Sequence, residues 1–195
     1  MSESKVVLCI KIQKEYKYES FPIGTSSYSF NSGVYPISNP LTMTSVINKV
    51  LIVGAGGHLG PFILSAFQAD SRFTVSILTR HSSKSTFPAH LKVHRINDDY
   101  PETELLEAFK GQDAVISTIA TAGAVLQKSF IDAAIKAGVK RFVPSEFGGD
   151  TRNEKAMAIL PQYFKGKLET VEYLKAKEKD GLTWTAFVTG PFFDL

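Results

Sequence analysis

The run Lys49-Val-Leu-Ile-Val-Gly-Ala-Gly-Gly-His-Leu-Gly60 joins residue types that together can hold an anion. Four apolar residues, Val50 to Val53, lead into glycines at 54, 56, 57 and 60, and a helical pattern starts at Leu59. A buried strand, a glycine turn and a helix N-terminus leave unpaired backbone N–H groups and the positive end of a helix dipole aimed at one point. The pyrophosphate of a dinucleotide is the group that such a turn suits. The spacing Gly54-x-Gly56 opens one glycine fingerprint, but its third position, 59, is Leu; Gly54-x-x-Gly57-x-x-Gly60 is complete. In that reading the first glycine permits the turn, the second the approach of the pyrophosphate, and the third close packing of helix on sheet. His58 and Leu59 lie inside the turn and are counted with Gly54, Gly57 and Gly60 as cofactor-contacting residues. His58 sits on the pyrophosphate side, the wrong side of a cofactor for catalysis.

Other residues fall where the same ligand would extend. Arg80 ends the second strand, where an acidic side chain would hold the ribose hydroxyls of NAD. Thr79-Arg80-His81 stands there instead, with Lys84 nearby. A guanidinium pairs bidentately with a 2′-phosphate, so NADP(H) is favoured over NAD(H). Ser117 and Thr118 follow the fourth strand and are expected on the ribose and nicotinamide side. Ser145 and Phe147, in Pro144-Ser-Glu-Phe-Gly-Gly149 after the fifth strand, are expected to line the same rim. Lys167 is the catalytic candidate. On a helix starting at Gln162, Phe164, Leu168, Val171 and Leu174 form a stripe spanning about 120°, with Lys167 inside it and Lys165 well outside. Burial disfavours a charged ammonium, and a lysine tuned in this way can act as general acid or base. The opposing reading is a lysine whose stem packs while its ammonium reaches water. The histidines have no metal-like spacing, so no metal is expected. Asp98 and Asp99 read as solvated turn residues.

The elements that must position these residues alternate strand and helix from Val46 onward. Strands are expected at 49–53, 74–79, 91–95, 114–117, 141–143 and 183–188. Helices are expected at 59–69, 102–109, 124–137 and 162–179. Regular alternation implies parallel strands with right-handed crossovers, an α/β Rossmann-type doubly wound sheet in the order 3-2-1-4-5-6. Residues 1–44 carry Pro22, Pro36 and Pro40 and no sustained period, apart from a short strand candidate at 6–12. They are expected to form an irregular or disordered extension, appended to a dinucleotide-binding domain over 45–195. The chain stops at Gly190-Pro-Phe-Phe-Asp-Leu195, on the rim where ligands bind, so a C-terminal substrate-binding portion is expected to be missing.

With 195 residues, 44% hydrophobic and 21% charged, the sequence describes an ordinary globular domain. A net charge of +3 without a basic run argues against a nucleic-acid partner. The one cysteine, Cys9, excludes an internal disulfide framework. No apolar run approaches the roughly 20 residues of a membrane span, and Val6–Ile10 is shorter than the roughly 7–15 residues of a signal-peptide core. A cytoplasmic location with a small-molecule partner is the expectation.

Gly54-x-x-Gly57-x-x-Gly60, Thr79-Arg80, Asp113-Ala-Val-Ile-Ser-Thr118, the run Phe130 to Gly148 containing Ala-Gly-Val-Lys-Arg-Phe-Val-Pro-Ser-Glu-Phe-Gly, and Gly181 to Phe193 together carry a family pattern. Over residues 46–195 the chain resembles the NmrA-like group of atypical short-chain dehydrogenases, nearest its isoflavone reductase and phenylcoumaran benzylic ether reductase branch in fungal form. The resemblance implies an NADPH-dependent reductase of small aromatic or secondary metabolites, with Gly54, Gly57, Gly60 and Arg80 holding the cofactor. It implies a lysine general acid/base on the helix after strand five. Lys167 is the best match, and Lys165 matches more weakly at a two-residue slip. Tyr163 precedes Lys167 at the Tyr-x-x-x-Lys spacing of typical short-chain dehydrogenases but lacks their context, so a Tyr163→Phe change is expected to leave turnover largely intact. The alternatives are a non-catalytic redox sensor that binds dinucleotides and contacts a protein partner, as NmrA does, and an inactive truncated product.

Overall fold

The computed structural model describes residues 46–190 and residue 192. They belong to the second of two units into which the chain divides, Met1–Thr44 and Ser45–Leu195. The expected extension with its strand candidate at 6–12, and most of the segment after Gly190, lie outside the described residues.

Six strands form one parallel sheet: β1 Lys49–Val53, β2 Thr74–Arg80, β3 Lys92–Ile96, β4 Ala114–Ser117, β5 Arg141–Val143 and β6 Thr183–Trp184. Their order is β3-β2-β1-β4-β5-β6, as the alternation predicts. Five helices connect them: α1 Gly60–Gln68, α2 Glu102–Phe109, α3 Gln127–Lys136, α4 Glu154–Ile159 and α5 Pro161–Lys177. β1 is central and buried on both faces, which is why it reads as an unbroken apolar run. Val50 and Ile52 pack with Ile63, Leu64 and Phe67 of α1. Leu51 and Val53 face the opposite core, built from Leu105 and Phe109 of α2, Phe130 and Ile131 of α3, Phe142 of β5 and Leu174 of α5.

Asp113, just before β4, braces the amino-terminal edge of the sheet. Its Oδ2 accepts from the backbone N–H of Asn48 at 3.0 Å and of Lys49 at 2.9 Å. Its Oδ1 accepts from Lys140 Nζ at 2.7 Å. Its own N–H donates to Lys49, and its carbonyl accepts from the N–H groups of Lys140 and Arg141. One residue thus ties the entries of β1, β4 and β5.

Four elements differ from the sequence expectation. The expected helix 124–137 is a 3-10 turn, Thr121–Leu126, followed by the shorter α3. The last long helix ends at Lys177, and a 3-10 turn, Glu178–Asp180, leads into Gly181 at φ +88°. The expected strand 183–188 pairs only over Thr183–Trp184, with a single further bridge between Gly148 and Val188. The reason lies in β5. It stops at Val143 because Pro144 has no N–H to donate to a ladder, so β6 loses its partner. Helix α4 was not expected. It has an N-cap signal, Asn153, whose side chain accepts from Ala156 N–H at 3.0 Å, but none of its residues is buried and no apolar period announces it.

Burial alone would raise the Asp113 carboxyl. Lys140 and the N–H groups of Lys49 and Asn48 outweigh burial and bring it from 3.8 down to about 2. A depressed carboxylate contributes stability that is complete above its unfolded value and lost as pH falls towards the folded one. We expect denaturant unfolding to show about 2 kcal/mol lost from this group between roughly pH 4 and pH 2. In Asp113→Asn the native state should be weaker at neutral pH, and that acid-dependent loss should be absent.

Candidate functional site

The carboxyl ends of β1, β2, β4 and β5 bring together most of the residues singled out in the sequence. At the end of β1, Gly54 adopts φ +85°, and a side chain there would meet the backbone and Oγ1 of Thr118 at 3.1 Å. Gly60, the first residue of α1, lies so close to the turn that an added Cβ would stand 2.5 Å from the Ala55 carbonyl and Gly54 O. These contacts bring the N-terminus of α1 up to the strand end. Leu59 at the cap offers no side-chain hydrogen bond, Pro61 occupies the first turn, and no acidic residue lies in that turn. The orphan N–H groups and dipole of α1 therefore meet no competing side chain. Gly56, Gly57 and His58 are exposed, Leu59 is half-buried and Gly60 buried. A Cβ on Gly57 would meet only Gly54 O, at 3.3 Å, and Thr118 O, at 3.9 Å. Exposed backbone at an uncapped helix start fits the pyrophosphate of a dinucleotide.

β2 lies beside β1, so Arg80 emerges next to this turn. Its guanidinium is half-exposed, and its contact with Asp98 is long, Nη1 to Oδ2 at 3.9 Å. Asp98 is not a free turn residue. It accepts from both the N–H and the hydroxyl of Ser82, and these bonds, with smaller help from Arg80 and His81, hold its carboxyl below the usual range.

The small polar residues after β4 and β5 are held by bonds within the protein. Ser117, the last residue of β4, is fully buried, and its hydroxyl has no hydrogen-bond partner among the described residues. The Thr118 hydroxyl donates to Val53 O at 2.9 Å, and the Ser145 hydroxyl to Ile119 O at 2.7 Å. Ser145 N–H donates to Oε1 of Gln127, a completely buried glutamine that the sequence reading missed. The Thr118 and Ser145 hydroxyls join strand ends to one another through backbone carbonyls, as most buried hydroxyls do. Phe147 stacks on Phe187, centroids 5.9 Å apart and planes within 8°.

Lys167 is 5% exposed and Lys165 is exposed. The buried face of α5 comprises Phe164, Lys167, Thr170, Val171 and Leu174, so Thr170 replaces the expected Leu168. Lys167 Nζ donates to the backbone carbonyl of Glu146 in the loop after β5. The Glu146 side chain is also buried, with Oε2 accepting from Thr151 Oγ1 at 3.0 Å and Oε1 without a protein partner. Burial pushes Lys167 down, opposed by the Glu146 charge. Burial pushes Glu146 up, opposed by the Thr151 hydrogen bond and then the Lys167 charge. Tyr163 joins them: Lys167 Nζ lies 5.1 Å from its ring centroid, and its hydroxyl borders Gly148 with that ammonium. The helical i, i+4 spacing could have shown that Tyr163 and Lys167 share a face. Nothing in the sequence pattern signals the burial of Glu146. Among the described residues no cluster of His, Cys, Asp or Glu could hold a metal ion, and no helix is long and apolar enough to cross a membrane.

Gly60→Ala should lower stability by about 1–3 kcal/mol in urea unfolding, since the added methyl meets backbone that cannot swing aside. An unchanged midpoint would mean that α1 can shift away from β1 freely.

The NmrA-like family model matches residues 47–194. The oxidoreductase aprR of Aspergillus flavus is 63% identical over 147 residues, covering 75% of this chain and 50% of that protein. A phenylcoumaran benzylic ether reductase of Pyrus communis is 32% identical over 157 residues, covering 75% and 49%. The fold is shared with the binary complex of leucoanthocyanidin reductase and NADPH from Vitis vinifera, with TM-score 0.57 and 23% identity over 72% of this chain and 49% of that one. The chain spans about half the length of the curated relatives it matches. On the match over 47–194 and the high identity to an oxidoreductase, the chain belongs to the NmrA-like family.

Proposed function

We propose that this chain is the nucleotide-binding part of an NADPH-dependent reductase of the isoflavone reductase-like type, acting on a small aromatic or related secondary metabolite. The observation that carries the reading is the buried Lys167 ammonium, set on the same strand rim as the uncapped glycine turn. Gly54, Gly57, His58, Leu59 and Gly60 would hold the pyrophosphate, and Arg80 the 2′-phosphate. Thr118, Ser145 and Phe147 would shape the nicotinamide side through backbone and ring surface, with Ser117 behind them. NADPH, when bound, supplies a hydride. The reductase names of the relatives and the NADPH-bound structural neighbour support this assignment.

Lys167 is the residue suited to move a proton. Its stem is fixed by the packing of α5, its Nζ is anchored on the Glu146 carbonyl, and burial makes its ammonium a better acid than an exposed lysine. Lys165 is exposed and lines a groove with Thr121, Val125, Gln162 and Glu169.

Titration of the purified chain with NADPH, NADP⁺ and NADH tests the cofactor. Tight NADPH binding lost in Arg80→Ala supports the reading, and a clear preference for the oxidised nucleotide would move it to the sensor class. In a longer relative carrying the same residues, Lys167→Met should lower turnover by about 10²–10⁴-fold, Lys165→Met by far less, and Tyr163→Phe little. Equal losses for both lysines would defeat the assignment.

A general acid must be protonated, so the rate should fall as pH rises past the Lys167 value, at a pH below the ordinary 10.5 of lysine. The Glu146 charge raises that value, so Glu146→Gln should shift the alkaline limb to still lower pH. A limb that stays put in the variant would remove Glu146 from the account.

A further inference from the structure

The loop from Arg80 to Leu91 has a fastening that the proposed binding of NADPH does not use. Arg95, on edge strand β3, sends its guanidinium back to three carbonyls of this loop. Nη1 donates to Ser83 O at 3.2 Å and Arg80 O at 3.4 Å, and Nη2 to Ser85 O at 3.2 Å. The loop so held lies on the glycine turn. The place that a Gly56 side chain would fill is taken by Ser85, whose Oγ lies 2.1 Å and whose Cβ lies 2.5 Å from the ideal Cβ position. Phe87, two residues on, packs with the core on the α1 face of the sheet. A second tie comes from Asp98, which accepts from the Ser82 N–H at 3.1 Å and from its hydroxyl.

We propose that Arg95 is a positioning residue that sets the preference for a 2′-phosphorylated dinucleotide, by pinning the Arg80–Ser85 loop against Gly56. The inference rests on the nucleotide-binding reading above. The carbonyls of Arg80, Ser83 and Ser85 carry partial negative charge close to Arg80 along the loop. A forked guanidinium takes up all three at once and fixes the peptide from which Arg80 projects. Lys84 and Arg80 are exposed on the same loop, and the single long contact of Arg80 with Asp98 leaves its guanidinium able to turn to an anion. A lysine at 95 would keep the charge but could not span three acceptors in fixed geometry.

The test measures NADPH and NADH affinity by nucleotide fluorescence for the full chain, Arg95→Met and Arg95→Lys, with amide exchange of the loop in nucleotide-free protein. The expected result for Arg95→Met is NADPH binding weakened about tenfold or more and NADH binding changed less than about twofold, with faster exchange over residues 82–87. Arg95→Lys should restore the NADPH preference only in part. Equal weakening of both nucleotides, an unchanged NADPH affinity, or full restoration by lysine would each overturn the positioning role. Should Arg95→Met fail to fold, the incomplete rescue by Arg95→Lys still decides the matter. Wild-type protein that binds neither nucleotide would overturn the cofactor reading and this inference with it. Wild-type NADPH binding that Arg95→Met leaves intact would overturn this inference alone.

Discussion

There is no room for a side chain where α1 crosses the end of β1. Gly60 lies against the Ala55 carbonyl, and Gly54, at positive φ, lies against Thr118 of the neighbouring strand end. This crowding sets the distance of α1 from the sheet, and with it the reach of Ile63, Leu64 and Phe67 onto Val50 and Ile52. It also lets the Thr118 hydroxyl and N–H both meet the Val53 carbonyl, which closes the seam between β1 and β4 at the rim. A helix standing further off would lose core contact on one side and carry its N–H groups away from the strand ends on the other. Core packing and the proposed anion site are therefore two consequences of one close approach.

The second organising feature is electrostatic. Lys167 and Glu146 are both buried, and each loses hydration that a distant opposite charge restores only in part. The lysine compensates through a peptide carbonyl and the carboxylate through Thr151. Ordinary cores avoid such groups. Here they stand beside the segments after β5 and β6, where Gly148 accepts from the N–H groups of Thr189 and Gly190 and Phe147 stacks on Phe187. Perturbed groups of opposite sign beside strand ends favour the proposed proton-transfer role.

Most of the exposed large apolar residues lie on segments that follow β4, β5 or β6: Val125, Ile159, Leu160, Tyr163, Val188 and Phe192, with Val46 and Phe62 elsewhere. The amino ends of β1, β4 and β5 are tied by Asp113. The proposed site thus lies at the carboxyl ends of the strands, where ligands bind in doubly wound sheets.

The residues alone determined the sheet order, the glycine turn and the face of α5 on which Lys167 lies. Each follows from local periodicity: continuous apolar runs make central parallel strands, glycines make turns, and a lysine within a helical stripe must face the packed side. What the sequence left open depends on partners distant along the chain. The sequence places Thr118 and Ser145 after strand ends, but only the fold supplies the Val53 and Ile119 carbonyls that their hydroxyls meet. The length of β6 depended on Pro144 in a different strand, and α4 on a cap with no apolar face behind it. Arg95 reads as an exposed strand charge until three loop carbonyls are seen within its reach. Periodicity shows which way a side chain points, whereas a hydrogen-bond partner is known only when the chain has brought it there.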